Sequence, residues 1–158
     1  MKKPNVLGFT LVELLVVIVI IGILAAVIFV ALDPGTRFGE SRDATRWSEA
    51  NSILNAVLKF QVDNDGTLPT GIDAVSTTSQ VLGTAGSGCN TTCTADTTVA
   101  ACLDLSGDLV DAYLSAMPQD PRTGTAANTD YYINKAGNGR ITVGACDPEQ
   151  TSAISVTR

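Results

Sequence analysis

The most apolar part of the chain lies near its N-terminus. Residues 14–32 form 19 consecutive positions without a charged or strongly hydrogen-bonding side chain. A helix rises 1.5 Å per residue, so this run would span roughly 28 Å, which is about the thickness of the hydrocarbon core of a bilayer. Lys2 and Lys3 precede the run. The pattern predicts a membrane-spanning helix with its basic end on the inner side.

Helix-breaking residues follow this run directly, at Asp33-Pro34-Gly35. Proline removes a backbone donor and clashes with the preceding turn, and glycine weakens a helix further. We expect the helix to kink, thin or break near residues 33–36. This point is either a joint within a longer helix or simply the end of the membrane helix. Gly22 is a second, weaker candidate joint within the apolar run.

A second helical pattern covers residues 37–62, where apolar side chains recur at spacings of three and four. The face predicted to pack on a core consists of Ala44, Trp47, Asn51, Leu54 and Leu58, widened by Ala50, Ile53, Val57, Phe60 and Val62. The charged residues predicted to lie mostly off that face are Arg42, Asp43, Arg46, Glu49 and Lys59. The pattern predicts an amphipathic helix, and the segment 63–66, which ends in glycine, should terminate it.

The combined length of the two helical segments has a physical consequence. A continuous helix over residues 9–62 would span roughly 80 Å at 1.5 Å per residue. The remaining residues are too few to cover such a rod. Its first half must therefore be buried in lipid or in other copies of the same chain, which predicts polymerisation.

The rest of the chain predicts only short elements. Residues 67–105 are rich in Thr, Ser, Gly and Ala and should form a loop region with at most short structure. Ser106 resembles an N-cap, and the apolar spacing up to Met117 predicts a short helix. Two strands, 130–135 and 140–143, flank a turn with two glycines and an asparagine, and residues 151–158 form a polar tail or a short edge strand. The predicted fold class is α+β: a long N-terminal helix and a small globular head with a short helix and a short antiparallel sheet.

The charge balance and the absence of histidine exclude several classes of function. The chain has 16 acidic and 10 basic side chains and no histidine. An acidic protein is a poor match for nucleic acid, which needs dense Lys and Arg. Without histidine, Ser-His-Asp and Cys-His catalysis are excluded, and neither a phosphate loop nor a pair of carboxylates in an apolar setting stands out. We therefore expect neither an enzyme nor a cofactor.

All four cysteines lie beyond the apolar run, at Cys89, Cys93, Cys102 and Cys146. An even number in an exported region predicts two disulfides. The spacing does not form the two close pairs of a zinc site. Three connectivities are possible, and we favour Cys89–Cys93 with Cys102–Cys146, because the second bond would join the short helix to the hairpin.

The residues around the start of the apolar run are more specific. The sequence Gly-Phe-Thr-Leu-Val-Glu from Gly8 to Glu13, directly followed by the apolar run, resembles the cleavage site of type IV pilin-like proteins. The resemblance implies that a prepilin peptidase cuts between Gly8 and Phe9 and that Phe9 is then N-methylated. It also implies that the carboxylate of Glu13 meets the N-terminal amine of a neighbouring subunit.

Two other interpretations of the N-terminus remain open: a secretory signal peptide and a plain membrane anchor. The apolar run is longer than usual for a signal peptide, and Ala25-Ala26 lies inside it rather than after it. Neither interpretation explains Glu13, since a carboxylate near a membrane interior is costly and needs a reason.

A second resemblance lies at Met117-Pro118-Gln119-Asp120-Pro121, which is similar to a turn of the major pseudopilins of type II secretion. In those relatives a calcium ion often binds in this region, so the resemblance makes Asp120 and Asp130 weak calcium candidates. The alternative is a rigid turn without a metal, which we favour because no dense cluster of carboxylates is visible.

Taken together, the resemblance implies a leader at 1–8 that is removed, a transmembrane or filament-core half at 9–36, and an amphipathic helix with a head at 37–158. It implies a structural subunit that waits in the cytoplasmic membrane and then polymerises with its own copies, helped by pilus or type II secretion machinery. The filament would be extracellular or periplasmic. The alternative is a minor pilin or pseudopilin that acts in binding, secretion or DNA uptake.

Overall fold

The computed structural model describes residues 8–158, so most of the predicted leader, with Lys2 and Lys3, lies outside the described residues. The chain divides into two compact units, with the boundary after Phe38. The second, Gly39–Arg158, is called the head unit below. The elements are α1 (Leu11–Leu32), α2 (Pro34–Asp63), β1 (Gln80–Val81), α3 (Ser106–Leu109), β2 (Tyr131–Lys135), β3 (Ile141–Ala145) and β4 (Ser155–Thr157). The predicted α+β class is confirmed.

The predicted membrane helix forms α1, which has no buried residue. Its mean hydropathy is 3.5, and among residues 8–158 it is the helix long and apolar enough to cross a membrane by length and composition. Its 22 residues span roughly 33 Å at 1.5 Å per residue.

The break between the helices lies at Asp33. This residue ends α1 in a left-handed conformation, with φ 38°, and α2 begins at Pro34. The Thr36 hydroxyl donates to Asp33 Oδ2 at 2.7 Å, and the Arg37 N–H donates to the Asp33 carbonyl at 3.3 Å. Gly22 interrupts nothing, since α1 is continuous through it.

The core of the head unit lies between α2 and the sheet. The buried apolar residues of α2 pack with those of the strands in one cluster, which includes Ile53, Leu54, Val57, Ile133 and Val143.

The predicted face of α2 is partly wrong. Trp47 is 39% exposed and Val62 is 79% exposed, and Ala44 is exposed as well. Asp43 and Arg46, which were expected off the packed face, are buried. The packed face is rotated because both buried charges have partners. Arg46 pairs with Asp120 and Glu149, and Asp43 bonds to Arg46 and to two backbone N–H groups after Cys146. These partners offset the cost of burying the charges.

The sheet is antiparallel, with strand order β1-β2-β3-β4. The predicted hairpin of β2 and β3 is confirmed, with Tyr131 opposite Ala145 and Lys135 opposite Ile141. Gly139 in its turn has φ 86°, which glycine adopts without strain. The C-terminal residues form edge strand β4, one of the two expected outcomes.

The predicted helix up to Met117 is wrong in length. Helix α3 ends at Leu109, Val110 is extended, and Asp111 takes a left-handed φ of 69°. The Ser106 hydroxyl does not cap the helix and instead donates to Asp104. The apolar spacing was nevertheless informative, because Tyr113, Leu114 and Met117 still pack against the core from a turn.

Candidate functional site

The residues that the structure describes ahead of α1 are exposed, and Thr10 is extended. Gly8, Phe9 and Thr10 are outside the helix, and Phe9 is 81% exposed. The Gly8–Phe9 peptide bond is therefore accessible to a peptidase. A Cβ added at Gly8 would meet nothing within 4 Å, so the fold of this chain does not itself require glycine there.

Thr10 and Glu13 form a capping box at the start of α1. The backbone N–H of Glu13 donates to Thr10 Oγ1 at 3.2 Å, and Glu13 Oε2 accepts from both the N–H and the hydroxyl of Thr10 at 2.9 Å. This arrangement satisfies two donors at the helix start that have no partner within the helix. Glu13 thus has a role in its own chain that the resemblance did not indicate, although the pattern Thr-x-x-Glu before an apolar run is a known signal of it.

The surface of α1 is apolar on every side. Its large apolar side chains are all exposed, from Val16 at 48% to Leu11 at 83%. A surface of this kind is unfavourable in water, and isolated soluble proteins rarely show so large a continuous apolar surface. It needs a cover of lipid or of other protein chains.

The head unit contains a buried charge cluster that consists of Asp43, Arg46, Asp120 and Glu149. The Arg46 side chain has no exposed surface and binds Asp120 through two hydrogen bonds, of 2.5 and 3.0 Å. It also donates to Asp43 at 2.8 Å and to Glu149 at 2.9 Å. Arg42 adds a two-pronged bond to Glu149.

The cluster attaches the loop after Cys146 to α2. The backbone N–H groups of Glu149 and Gln150 both donate to the Asp43 carboxylate. Gly39 lies under the same loop, and a Cβ there would come within 2.6 Å of the Gln150 side chain. Glycine at position 39 therefore leaves room for the Gln150 side chain against the helix.

The carboxylates of the cluster stay ionised well into acid. Hydrogen bonding by Arg42, followed by Arg46, lowers the pKa of Glu149 to about 2. Burial opposes ionisation of Asp43 and Asp120. At Asp43, hydrogen bonds from the Glu149 and Gln150 backbone outweigh this effect and lower the pKa. At Asp120, the hydrogen bond from Arg46 outweighs it and also lowers the pKa.

The two calcium candidates have different surroundings. Asp120 is bound to Arg46, whereas Asp130 is buried with one oxygen, Oδ1, that lacks a hydrogen-bond partner. Burial raises the pKa of Asp130. No group of three or more acidic, cysteine or histidine side chains that could hold a metal ion occurs within residues 8–158. The Met117–Pro121 turn thus supplies a partner for Arg46.

The structure joins Cys89 to Cys102 and Cys93 to Cys146, so all four cysteines are paired but the favoured connectivity is wrong. The Cys89 N–H donates to Ala100 and the Cys102 N–H to Ala85, which places Cys89 opposite Cys102. The Ala95 N–H donates to the Cys146 carbonyl, which brings the neighbouring Cys93 to the end of β3.

Sequence reasoning missed the buried charge cluster, although one signal was present. Gly39, Asp43, Arg46, Ala50 and Ile53 follow one another at spacings of four and three, which continues the packed face of α2 toward its N-terminus. The charges of Asp43 and Arg46 nevertheless favour an exposed position in a sequence-based prediction. Their acidic partners Asp120 and Glu149 lie far away in the chain, so nothing local indicated that the charges would be neutralised.

One comparison with known proteins gave a match. Residues 3–29 match the family described as the prokaryotic N-terminal methylation motif. The match covers most of the apolar run and the residues on both sides of the Gly8–Phe9 bond. The comparisons with curated proteins and with solved structures found no match.

Proposed function

We propose that this chain, which carries an N-terminal methylation motif typical of type IV pilins and pseudopilins, is a structural subunit of a type IV pilus-like filament. The observation that carries the proposal is the combination of this motif with a helix that has no buried residue. Neither feature is explained by a folded head that acts alone.

Maturation is the first step. A prepilin peptidase cuts between Gly8 and Phe9, and the new amine of Phe9 is methylated. The exposure of Gly8 and Phe9, which lie outside the helix, supports such a cut. Removal of residues 1–8 takes away Lys2 and Lys3, which hold the precursor's N-terminus on the inner side of the cytoplasmic membrane.

Assembly follows when α1 leaves the lipid and packs against α1 of other copies. The apolar surface exchanges lipid for protein, so the transfer costs little hydrophobic free energy. Glu13 selects the position of the incoming subunit, because its carboxylate attracts the Phe9 amine of a neighbour far more strongly in an apolar core than in water. Each charge is costly when it is buried without its partner.

The capping box supports this role for Glu13. Thr10 holds one carboxylate oxygen at the start of α1, and the other oxygen, Oε1, makes no hydrogen bond within residues 8–158. The glutamate is therefore fixed in position while one oxygen stays open to a partner. A carboxylate that is already oriented loses less entropy when it binds an amine.

The proposed partners are other copies of the chain, prepilin peptidase, and the pilus or type II secretion assembly machinery. The subunit contributes structure rather than catalysis and needs no cofactor. The finished filament lies outside the cytoplasmic membrane, in the periplasm or beyond the cell.

Electron microscopy of sheared filaments, with mass spectrometry of their subunits, tests the proposal. We expect filaments in which this chain is the most abundant protein. A chain that is present in filaments only as a trace component would be a minor pilin or pseudopilin. A chain that is found only in the membrane of cells with assembled filaments would contradict the proposal.

A further inference from the structure

The turn between β2 and β3 carries two basic side chains at its base and no acidic one. Lys135 ends β2 and Arg140 precedes β3, while residues 137–140 are exposed. The guanidinium of Arg140 makes no hydrogen bond or ion pair with any of residues 8–158. On an acidic chain this segment, Lys135–Arg140, is a positive projection, which we call the hairpin tip.

A cavity of about 280 Å³ opens elsewhere on the head unit, with one acidic side chain in its lining. Val110 and Met117 contribute apolar wall, and Asp104 contributes the carboxylate. The hydroxyl and the N–H of Ser106 both donate to Asp104 Oδ1, at 2.5 and 2.9 Å. These bonds lower the pKa of Asp104, and its Oδ2 has no hydrogen-bond partner within residues 8–158.

The cavity and the hairpin tip lie at opposite ends of the sheet. Gly83 and Thr129 line the cavity. Leu82, which follows β1, donates its N–H to the carbonyl of Tyr131, and its own carbonyl accepts from the Thr129 N–H. The cavity therefore lies beside the beginning of β2. The hairpin tip follows the other end of β2, four residues or roughly 13 Å of strand away. One molecule thus presents complementary charges on two different surfaces.

We propose that, in the filament, the hairpin tip of one copy docks at the Asp104 cavity of the next copy, with Arg140 paired to Asp104. The inference rests on the proposed function, because it needs a polymer. Arginine suits this cavity, since its planar head binds a carboxylate through two hydrogen bonds and its aliphatic stem packs on apolar walls such as Val110 and Met117.

The positions of the hairpin tip and the Asp104 cavity fit an open assembly. A contact between two different surfaces of the same chain is repeated by each added copy, so it extends a helical filament unless the rotation closes into a ring. Acidic heads otherwise repel one another. A cation at one end and a carboxylate at the other gives each head an attractive contact with its neighbour.

Filament yield from full-length variants tests the pairing. Arg140→Gln removes the cation, and Asp104→Asn removes the anion while it keeps an acceptor for Ser106. Each should lower the ratio of sheared filament to membrane-bound subunit by about tenfold, the equivalent of 1.4 kcal/mol. Ser76→Asp, at an exposed loop position, changes net charge by the same amount as Arg140→Gln and should leave the ratio unchanged.

The double variant distinguishes a pair from two unrelated effects. If Arg140 and Asp104 bind each other, the double variant should lower the ratio of sheared filament to membrane-bound subunit by about tenfold, as each single variant does. A loss of about a hundredfold, or wild-type yield from either single variant, would overturn the pairing while the filament proposal stands. Absence of filaments from the wild-type chain itself would instead overturn the proposed function, and the pairing with it.

Discussion

Arg46 on α2 and Asp120 in the Met117–Pro121 turn are separated by 74 positions and form a two-pronged ion pair in which neither side chain is exposed to solvent. A complete pair of this kind stabilises the fold little more than apolar packing would, because both charges must first lose their bound water. Removal of one partner is much more costly, since it leaves the other charge buried alone. The pair therefore makes correct docking of the turn on α2 a condition for a stable head unit.

Arg46→Met should lower the free energy of unfolding of the head unit by about 3–5 kcal/mol, because Asp120 and Asp43 would remain buried without their cation. Chemical denaturation of the detergent-solubilised chain measures the loss. Arg122→Met is the matched control. Arg122 is largely exposed, and its Nη1 lies 3.7 Å from Glu149 Oε2. Its removal should therefore lower the free energy of unfolding by less than about 1 kcal/mol. Similar losses for the two variants would contradict the role of Arg46.

Asp130→Asn should stabilise the head unit at pH 7. Burial raises the pKa of Asp130, so its carboxylate destabilises the fold above the folded-state pKa, and this cost disappears as pH falls through that value. The neutral amide should therefore raise the free energy of unfolding by about 1 kcal/mol at pH 7. Thermal unfolding between pH 7 and pH 3 should show the advantage of the variant shrinking as the wild-type carboxyl takes up its proton.

A matched control exists for this substitution at Asp65. Asp65 and Asp130 both have left-handed backbone, with φ of 53° and 57°, a conformation in which asparagine is favoured. Asp65 is exposed. Asp65→Asn should reproduce any backbone effect without the pH dependence, and an equal gain at both positions would assign the effect to the backbone.

The two disulfides should stabilise the head unit unequally. They are separated by 13 positions for Cys89–Cys102 and by 53 for Cys93–Cys146. In the chain-entropy model, loss of the short-loop bond should cost about 3 kcal/mol and loss of the long-loop bond about 4 kcal/mol. Paired Cys→Ser variants and denaturation measure the difference. Non-reducing peptide mapping should recover both links, and a Cys89–Cys93 peptide would contradict the assignment.

Comparison of the fold with the sequence shows which elements could be predicted from the sequence. Helix α1 and the β2–β3 hairpin depend on contiguous residues: an unbroken apolar run, and strand residues around a turn with Gly139. The break at Asp33 was also anticipated, because Pro34 and Gly35 act locally. The end of α3 was not, since the left-handed conformation at Asp111 has no strong local signal.

The candidate site has a local sequence signal only at its N-terminal end, where the roles of Gly8, Phe9 and Glu13 in cleavage and assembly stay predictions. Gly8, Phe9 and Glu13 belong to one short motif, so they were found together. The burial of Asp43 and Arg46 depends on partners that lie 74 to 107 positions away. Arg46 binds the carboxylates of Asp120 and Glu149, and Asp43 accepts from the backbone N–H groups of Glu149 and Gln150. The disulfide pairing likewise depends on backbone contacts made by the loops around Ala85, Ala95 and Ala100. Such long-range neutralisation and loop packing leave no local periodicity for sequence reasoning to detect.

The role of Glu13 in assembly can be separated from its role in the capping box. Glu13→Gln keeps an oxygen that can accept from the Thr10 N–H but removes the charge. We expect it to lower filament yield at least about tenfold, as Glu13→Leu should, because the Phe9 amine of the neighbour loses its anion. The ratio of sheared filament to membrane-bound subunit measures this loss.

Thr10→Ala provides the comparison for the capping box, since it removes the hydroxyl of the cap and keeps the glutamate. It should weaken the start of α1 by about 1 kcal/mol and leave most of the filament yield. Normal yield from Glu13→Gln, together with loss from Thr10→Ala, would show that capping rather than charge is the requirement. A mixture of Glu13→Gln and wild-type subunits should assemble better than the variant alone.

The N-terminus of the subunit in native filaments tests the central claim most directly. Intact-mass measurement with N-terminal peptide sequencing should find a chain that begins at Phe9, carries a methylated amine and lacks residues 1–8. Gly8→Val should leave uncleaved precursor in the membrane, and since a Cβ at position 8 would meet nothing within 4 Å, the block would lie with the peptidase. A filament subunit that begins at Met1, or one cut after Ala25 or Ala26, would contradict the account.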